Sequence, residues 1–306
     1  MITKEIIHYS DFIGRVVQVS NGIIDVAVMI DKGPRIIRYG FTGETNELCD
    51  DAPLTVDVEG YDEPWYLFGG HRLWPSPEKF PKTYYPDNDP VEYELTEKGV
   101  RVIKPAHPNV HIESVFDITV EEGDTKITIN HTLINKGEWP IRTACWCPTN
   151  MKPGGMMVVP FSIAPSHFVD GAKDIRKLVL WPYAKMDDRR IKWGNNFVMV
   201  QHEEGNTDQT KFSITNKDGW TAYFNHNNLF IKRFEYIPGA EYPEGGGNSV
   251  TFMIEFMHEV ESLSPMTDIQ PEGSLSHVET WELHKGVASP ACFDEAVVAE
   301  AVKKYI

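Results

Sequence analysis

The feature that most restricts the fold of this chain is a recurring period of two. In residues 111–120 (HIESVFDITV), Ile112, Phe116, Ile118 and Val120 fall on one face while Glu113 and Asp117 fall on the other, the pattern of a half-buried strand. The turn EEGD leads into TKITINHTL, where Ile127, Ile129 and Leu133 repeat it, so the two segments predict an antiparallel hairpin. Residues 24–30 and 35–39 predict a second hairpin across DKGP. The alternation returns in FVMVQH, KFSITN, WTAYFN, LFIKRFEY and the longer SVTFMIEFMHEVE from Ser249, with NKDG, NHNN and PEGGGN as turns between them. A helical signature appears only at the end, where Ser289 and Pro290 are placed to start FDEAVVAEAVKKYI. The pattern predicts an all-β fold with a short C-terminal helix.

No composition break, linker or internal repeat divides the 306 residues, which predicts one domain over residues 1–306. A formal charge of −16 without a compensating basic run repels phosphate backbones and anionic lipid surfaces, so neither nucleic acid nor membrane is an expected partner. No run reaches the ~18 apolar residues of a membrane span, and MITKEIIHYSDFIGRVV lacks an apolar leader segment; a cytoplasmic location is the expectation. Cys49, Cys145, Cys147 and Cys292 are too scattered for a disulfide framework. Cys145 and Cys147, two apart in a strand, read as small buried side chains.

Two stretches could carry chemistry. FGGHRLWPSPEKF, from Phe68, lies in a window with eight aromatics between Tyr61 and Tyr85. Its prolines predict a stiff loop leaving a strand. His71, Arg72, Trp74 and Glu78 together offer the ring faces and polar groups that suit a sugar; the plainer alternative is an aromatic cap with Arg72 paired to Glu78. The run from Ser249 reads as one strand with Val250, Phe252, Ile254, Phe256 and Val260 on one side and Met253, Glu255, Met257, Glu259 and Glu261 on the other. Carboxylates two apart stand roughly 7 Å from each other, close enough for repulsion to raise one pKa toward general acid or base use. One strand rarely supplies the oxygens a hard cation needs, so no metal is expected. Lys232 and Arg233 point to opposite faces of their strand, where either could meet an anionic group.

GPRIIRYGF, FGGHRLWPSPE, GGMMVVPF and VESLSPMTDIQPEGSLSHVETWEL, in that order over about residues 20–285, together resemble the galactose mutarotase-like superfamily, which includes the aldose 1-epimerases. The resemblance implies a β-supersandwich of large, mostly antiparallel sheets. It also implies a cofactor-free sugar site, in which a Glu takes the proton of the anomeric hydroxyl and a His protonates the ring oxygen. By motif position Glu261 in EVESLSP matches that Glu, and Arg72 in GGHR the substrate-binding Arg. The family's middle-strand His has no counterpart in NKGEWPIRTACWCPTNMKPGG, where Trp146 stands. His71 is then the candidate acid, or the protein binds sugar without turning it over. Trp74 and Trp146 are expected as stacking walls, with Arg72, Glu78, Glu259 and Lys232 as polar contacts. Arg72 and Lys232 gripping the carboxylate of a uronic acid is a further possibility.

Overall fold

Two large antiparallel sheets account for most of the computed structural model, which describes residues 1–163 and 175–306. The ten-stranded sheet runs, in spatial order, Ile191–Trp193, Phe197–Gln201, Met156–Pro160, Trp220–Asn225, Asn228–Phe234, Ser274–Lys285, Ile127–Asn135, Ile112–Val120, Gly99–Lys104 and Glu92–Leu95. The seven-stranded sheet runs Leu178–Leu180, Thr210–Ile214, Ser249–Ile254, Met257–Leu263, Ile141–Met151 and Thr267–Ile269, and the short strand Trp74–Ser76 pairs with Ile141–Met151. A four-stranded sheet of N-terminal strands, Thr3–Ser10 to Ile36–Phe41, and a two-stranded ribbon complete it. This is the β-supersandwich that the family resemblance implies, on the all-β pattern that the period of two predicts. Both predicted hairpins form: Ile112–Val120 pairs with Ile127–Asn135, and Ile24–Met29 with Ile36–Phe41.

The period of two decides what each sheet face meets. Along Ile141–Met151, Cys145, Cys147 and Met151 enter the main core, together with Phe212, Met253 and Val260 of the same sheet and Phe230, Trp281 and Ile129 of the larger one. Trp146 faces the other way and joins Trp65, Trp74, Val250, Met257 and Leu263 in a cluster outside that core. The outer side of the ten-stranded sheet is covered by the helix Glu295–Val302 through Val298 and Val302.

Two boundaries differ from the sequence reading. The run from Ser249 is a hairpin, Ser249–Ile254 and Met257–Leu263, that turns at Glu255 and Phe256. Phe252 therefore stands opposite Glu259 and Val250 opposite Glu261, so these apolar residues share the carboxylates' face while Glu255 lies in the turn. Alternation counted straight through a reversal of the chain assigns the faces wrongly. The helix starts at Glu295 instead of near Pro290, because the Asp294 carboxylate accepts from the Ala296 and Val297 amides, 2.8 and 3.3 Å away, and so supplies the N-cap. Among the described residues no helix is long and apolar enough to cross a membrane.

Candidate functional site

Register across the seven-stranded sheet sets four polar and aromatic side chains in one row on its outer face. Lys211 pairs with Phe252, Phe252 with Glu259, and Glu259 with Asn150. Adjacent strands are about 4.8 Å apart, so the backbones of Lys211 and Glu259 stand roughly 10 Å from each other with that of Phe252 between them. Over this row opens a cavity of about 180 Å³, lined by Arg72, Trp74, Glu78, Tyr84, Trp146, Tyr183, Lys211, Phe252 and Glu259 among others. That is smaller than the ~300–1,000 Å³ of drug-sized ligand sites, which limits an occupant to the scale of one sugar ring.

Arg72 and Lys211 are both held in ion pairs. Arg72 Nη2 donates to Glu259 Oε1 at 2.8 Å and Nη1 to Asn150 Oδ1 at 2.7 Å, while Asn150 Nδ2 donates to the same Glu259 Oε1 at 3.0 Å. Among the described residues every protein hydrogen bond of the Glu259 carboxylate thus falls on Oε1. The Arg72 guanidinium lies 4.1 Å from the centre of the Trp74 ring. Lys211 Nζ lies 3.1 Å from Glu78 Oε2 and rests between the Trp146 and Trp181 rings at 4.9 and 4.6 Å. Burial works against its charge, but the carboxylates of Glu261, Glu78 and Glu259 outweigh it and raise the ammonium above the ordinary lysine range. Glu78 also accepts from the Tyr84 hydroxyl; although burial acts upward, Lys211 and Tyr84 hold its carboxyl below the usual range.

Glu261 lies two residues along the same face, fully buried beneath the cavity wall and outside the lining. The Trp146 indole donates to its Oε2, and its Oε1 has no partner among the described residues. Burial, and then the charge of Glu259, push its carboxyl up to about 8, against the pull of Lys211, the indole and Arg72. At neutral pH it carries a proton.

His71 and Lys232, expected at the site, lie elsewhere. His71 follows a glycine pair squeezed against backbone: a Cβ on Gly69 would come within 2.2 Å of the Cys49 carbonyl oxygen and one on Gly70 within 2.3 Å of that of Ile36. The segment after it is no free loop, because His71 bridges Ile36 and Thr149 and Trp74–Ser76 is an edge strand. In such extended backbone neighbouring side chains point to opposite sides, so Arg72 faces the cavity and His71 the interior. There His71 Nε2 lies 2.7 Å from His131 Nε2, and His131 Nδ1 donates to the His277 carbonyl at 3.0 Å. Lys232 Nζ donates to the carbonyls of Cys147 and Val260 at 3.0 and 3.1 Å and meets Glu279 Oε1 at 2.9 Å. Ser262 and Trp281 donate to the two oxygens of Glu279 at 2.5 and 2.8 Å. Two triads here, His71–His131–Glu279 and Cys147–His277–Glu279, have ligand atoms within 4.8 Å, the spacing of a metal cradle. The Lys232 ammonium supplies the positive charge beside that carboxylate, so the cluster reads as a closed polar tie between the two large sheets. Burial lowers His131 and His277 to about 4 and His71 well below the usual value, so all three are neutral.

The stacking walls also differ from expectation. Trp74 and Trp146 are only 5% and 2% exposed, because Trp74 packs on Trp65 and Trp146 at 5.2 Å and both indoles carry a cation on a face. The accessible rings are Phe252, Tyr84 and, 42% exposed, Tyr183. Sequence reading missed Lys211, Asn150 and Tyr183. In KFSITN the alternation sets Lys211 and Ser213 opposite Phe212 and Ile214, but what covers that outer face depends on strands distant in sequence.

No protein-family model and no curated protein sequence matches the chain. Solved structures do. A TPR-domain containing protein from Parabacteroides distasonis ATCC 8503 gives a TM-score of 0.60 at 12% identity over 92% of this chain and 50% of its own, so the chain spans half of that protein. A protein from Klebsiella pneumoniae subsp. pneumoniae MGH 78578, provisionally described as an aldose 1-epimerase, gives 0.61 at 13% identity over 99% of this chain and 86% of its own. A galactose mutarotase-like protein from Lactobacillus casei ATCC 334 gives 0.51 at 10% identity over 88% and 100%. The chain has the galactose mutarotase-like fold. On this fold the cavity occupies the outer face of the smaller of the two large sheets, where Glu259 and Arg72 meet.

Proposed function

We propose that the cavity binds a single sugar ring and interconverts its anomers by acid/base ring opening, as an aldose 1-epimerase-like isomerase. The observation that carries this reading is the set of incompletely bonded charged groups on the cavity lining. Among the described residues both protein hydrogen bonds of the Glu259 carboxylate fall on Oε1 and none on Oε2, and the Lys211 ammonium makes one hydrogen bond, to Glu78. Hydroxyls that both donate and accept would complete the carboxylate and the ammonium together. Glu259, in contact with the cavity, takes the base role that sequence position assigned to Glu261, and Arg72 and Asn150 fix its orientation. Glu78 contributes a second acceptor, and Phe252 the apolar floor for the C–H face of the sugar.

A second reading, sugar binding without turnover, is favoured by one observation: among the described residues no histidine lines the cavity. A thermal-shift panel of freshly dissolved neutral and acidic monosaccharides tests the shared premise. The expected result is a rise in melting temperature with at least one sugar that is reduced in Phe252→Ala, which removes the apolar floor. No shift with any monosaccharide would overturn both readings.

A further inference from the structure

Resting on the ring-opening reading above, we propose that Lys211 is the proton donor to the ring oxygen, a role that no histidine among the described cavity residues fills. Among the described lining residues four carry a cationic or phenolic proton: Arg72, Tyr84, Tyr183 and Lys211. The Arg72 guanidinium does not give one up. Tyr84 donates to Glu78, and Tyr183 lies at the rim, 42% exposed. Lys211 Nζ has three N–H donors and one hydrogen bond, to Glu78 Oε2 at 3.1 Å; its remaining contacts are the faces of Trp146 and Trp181.

Position makes the same choice. Lys211 and Glu259 sit at the two ends of one row, each directly opposite Phe252 in the pairing. A ring lying on Phe252 sits between the strands that carry the two groups, so the ammonium and the Glu259 carboxylate can reach different atoms of it, as ring opening needs.

The step balances. Glu259 takes the proton of the anomeric hydroxyl as the C1–O1 carbonyl forms; the bond from C1 to the ring oxygen breaks, and that oxygen takes a proton from Lys211 Nζ. The products are the open-chain aldehyde, a carboxylic acid and a neutral amine. Rotation about C1–C2 turns the other carbonyl face to the hydroxyl. On closure the hydroxyl returns its proton to the amine, and the carboxylic acid returns its own to O1. The leaving alkoxide is far more basic than an amine, so a lysine held charged by its neighbours still protonates it.

The test measures anomer exchange of D-galactose, D-glucose and D-glucuronate by NMR exchange spectroscopy, with sugar-induced thermal shifts on the same samples, for wild type, Lys211→Arg and Lys211→Met. Arginine keeps the charge but not the transferable proton. The expected result is exchange accelerated by wild type and reduced about 10²–10⁴-fold in Lys211→Arg, with the thermal shift retained. Lys211→Met, which keeps the aliphatic stem between the indoles, gives the second reading if the arginine does not pack; it too should bind and not exchange. Wild-type acceleration that survives in either folded variant overturns the assignment and leaves the ring-opening reading standing. Sugar binding with no acceleration by wild type overturns both.

Discussion

Trp146 donates its indole N–H to Glu261, closing the cavity wall over a carboxyl whose other oxygen has no partner among the described residues. A carboxyl pushed up to about 8 in the fold binds a proton there that the unfolded chain has lost above its ordinary value near 4.3. Its contribution to stability is complete below that ordinary value and declines as pH rises to about 8. The buried neutral histidines act in the opposite direction. His131 and His277, at about 4 in the fold, remain neutral where the unfolded chain binds protons, so stability falls as pH drops below about 6.5. The melting temperature should therefore peak near pH 6.5 and decline on both sides. Glu261→Gln should flatten the decline between pH 6.5 and 8 and steepen the acid-side fall between about 4.3 and 6.5, where Glu261 opposes the histidines; an unchanged alkaline decline would remove the raised carboxyl from the account.

The Lys232–Glu279 pair, with both side chains fully buried, joins neighbouring strands of the ten-stranded sheet and reaches the other sheet through Lys232 to the Cys147 and Val260 carbonyls and Ser262 to Glu279. Lys232→Met should lower the unfolding free energy by about 3–5 kcal/mol, measured by urea denaturation, because Glu279 keeps a buried charge. Lys232→Met with Glu279→Gln should recover part of that loss. Equal losses in the single and double variants would show that the charge pairing is not what the cluster contributes.

His71→Gln separates the two possible positions of this histidine. The side chain is 0% exposed and bonded to Thr149 and His131, so the substitution should lower the melting temperature and leave sugar-induced stabilisation and anomer exchange unchanged in the folded fraction. Loss of exchange with full stability would return His71 to the role of acid.

How much of this was legible beforehand follows from which interactions are local. The two hairpins, the all-β class and the outward pairing of Glu259 with Glu261 depend on period two, which is written in consecutive residues. Glu78 and Arg72 were found through composition in one short window, and both line the cavity. What failed needed either a reversal inside a run, as at Glu255 and Phe256, or a partner far away in sequence. Arg72 is held by Asn150 and Glu259, 78 and 187 residues distant. Lys232 and Lys211 look alike as lysines in alternating strands, yet one points between the sheets and the other into the cavity. Neither sequence neighbourhood contains the difference.

Asn150 bridges the Arg72–Glu259 pair, accepting from one and donating to the other. Asn150→Ala leaves Glu259 with one anchor, and anomer exchange should fall about 10-fold or more, since a shift of about 1 Å in a catalytic group costs up to 10²-fold. Exchange equal to wild type would show that Glu259 needs no such support.

The central claim is that Glu259 is a base facing a sugar across the Phe252 floor. Its most direct test is the rate of anomer exchange for freshly dissolved monosaccharides, followed by NMR or polarimetry, with wild type and Glu259→Gln at equal concentration. The account predicts acceleration by wild type and a return to the uncatalysed rate in Glu259→Gln while the variant remains folded. Equal rates for the two proteins would contradict it.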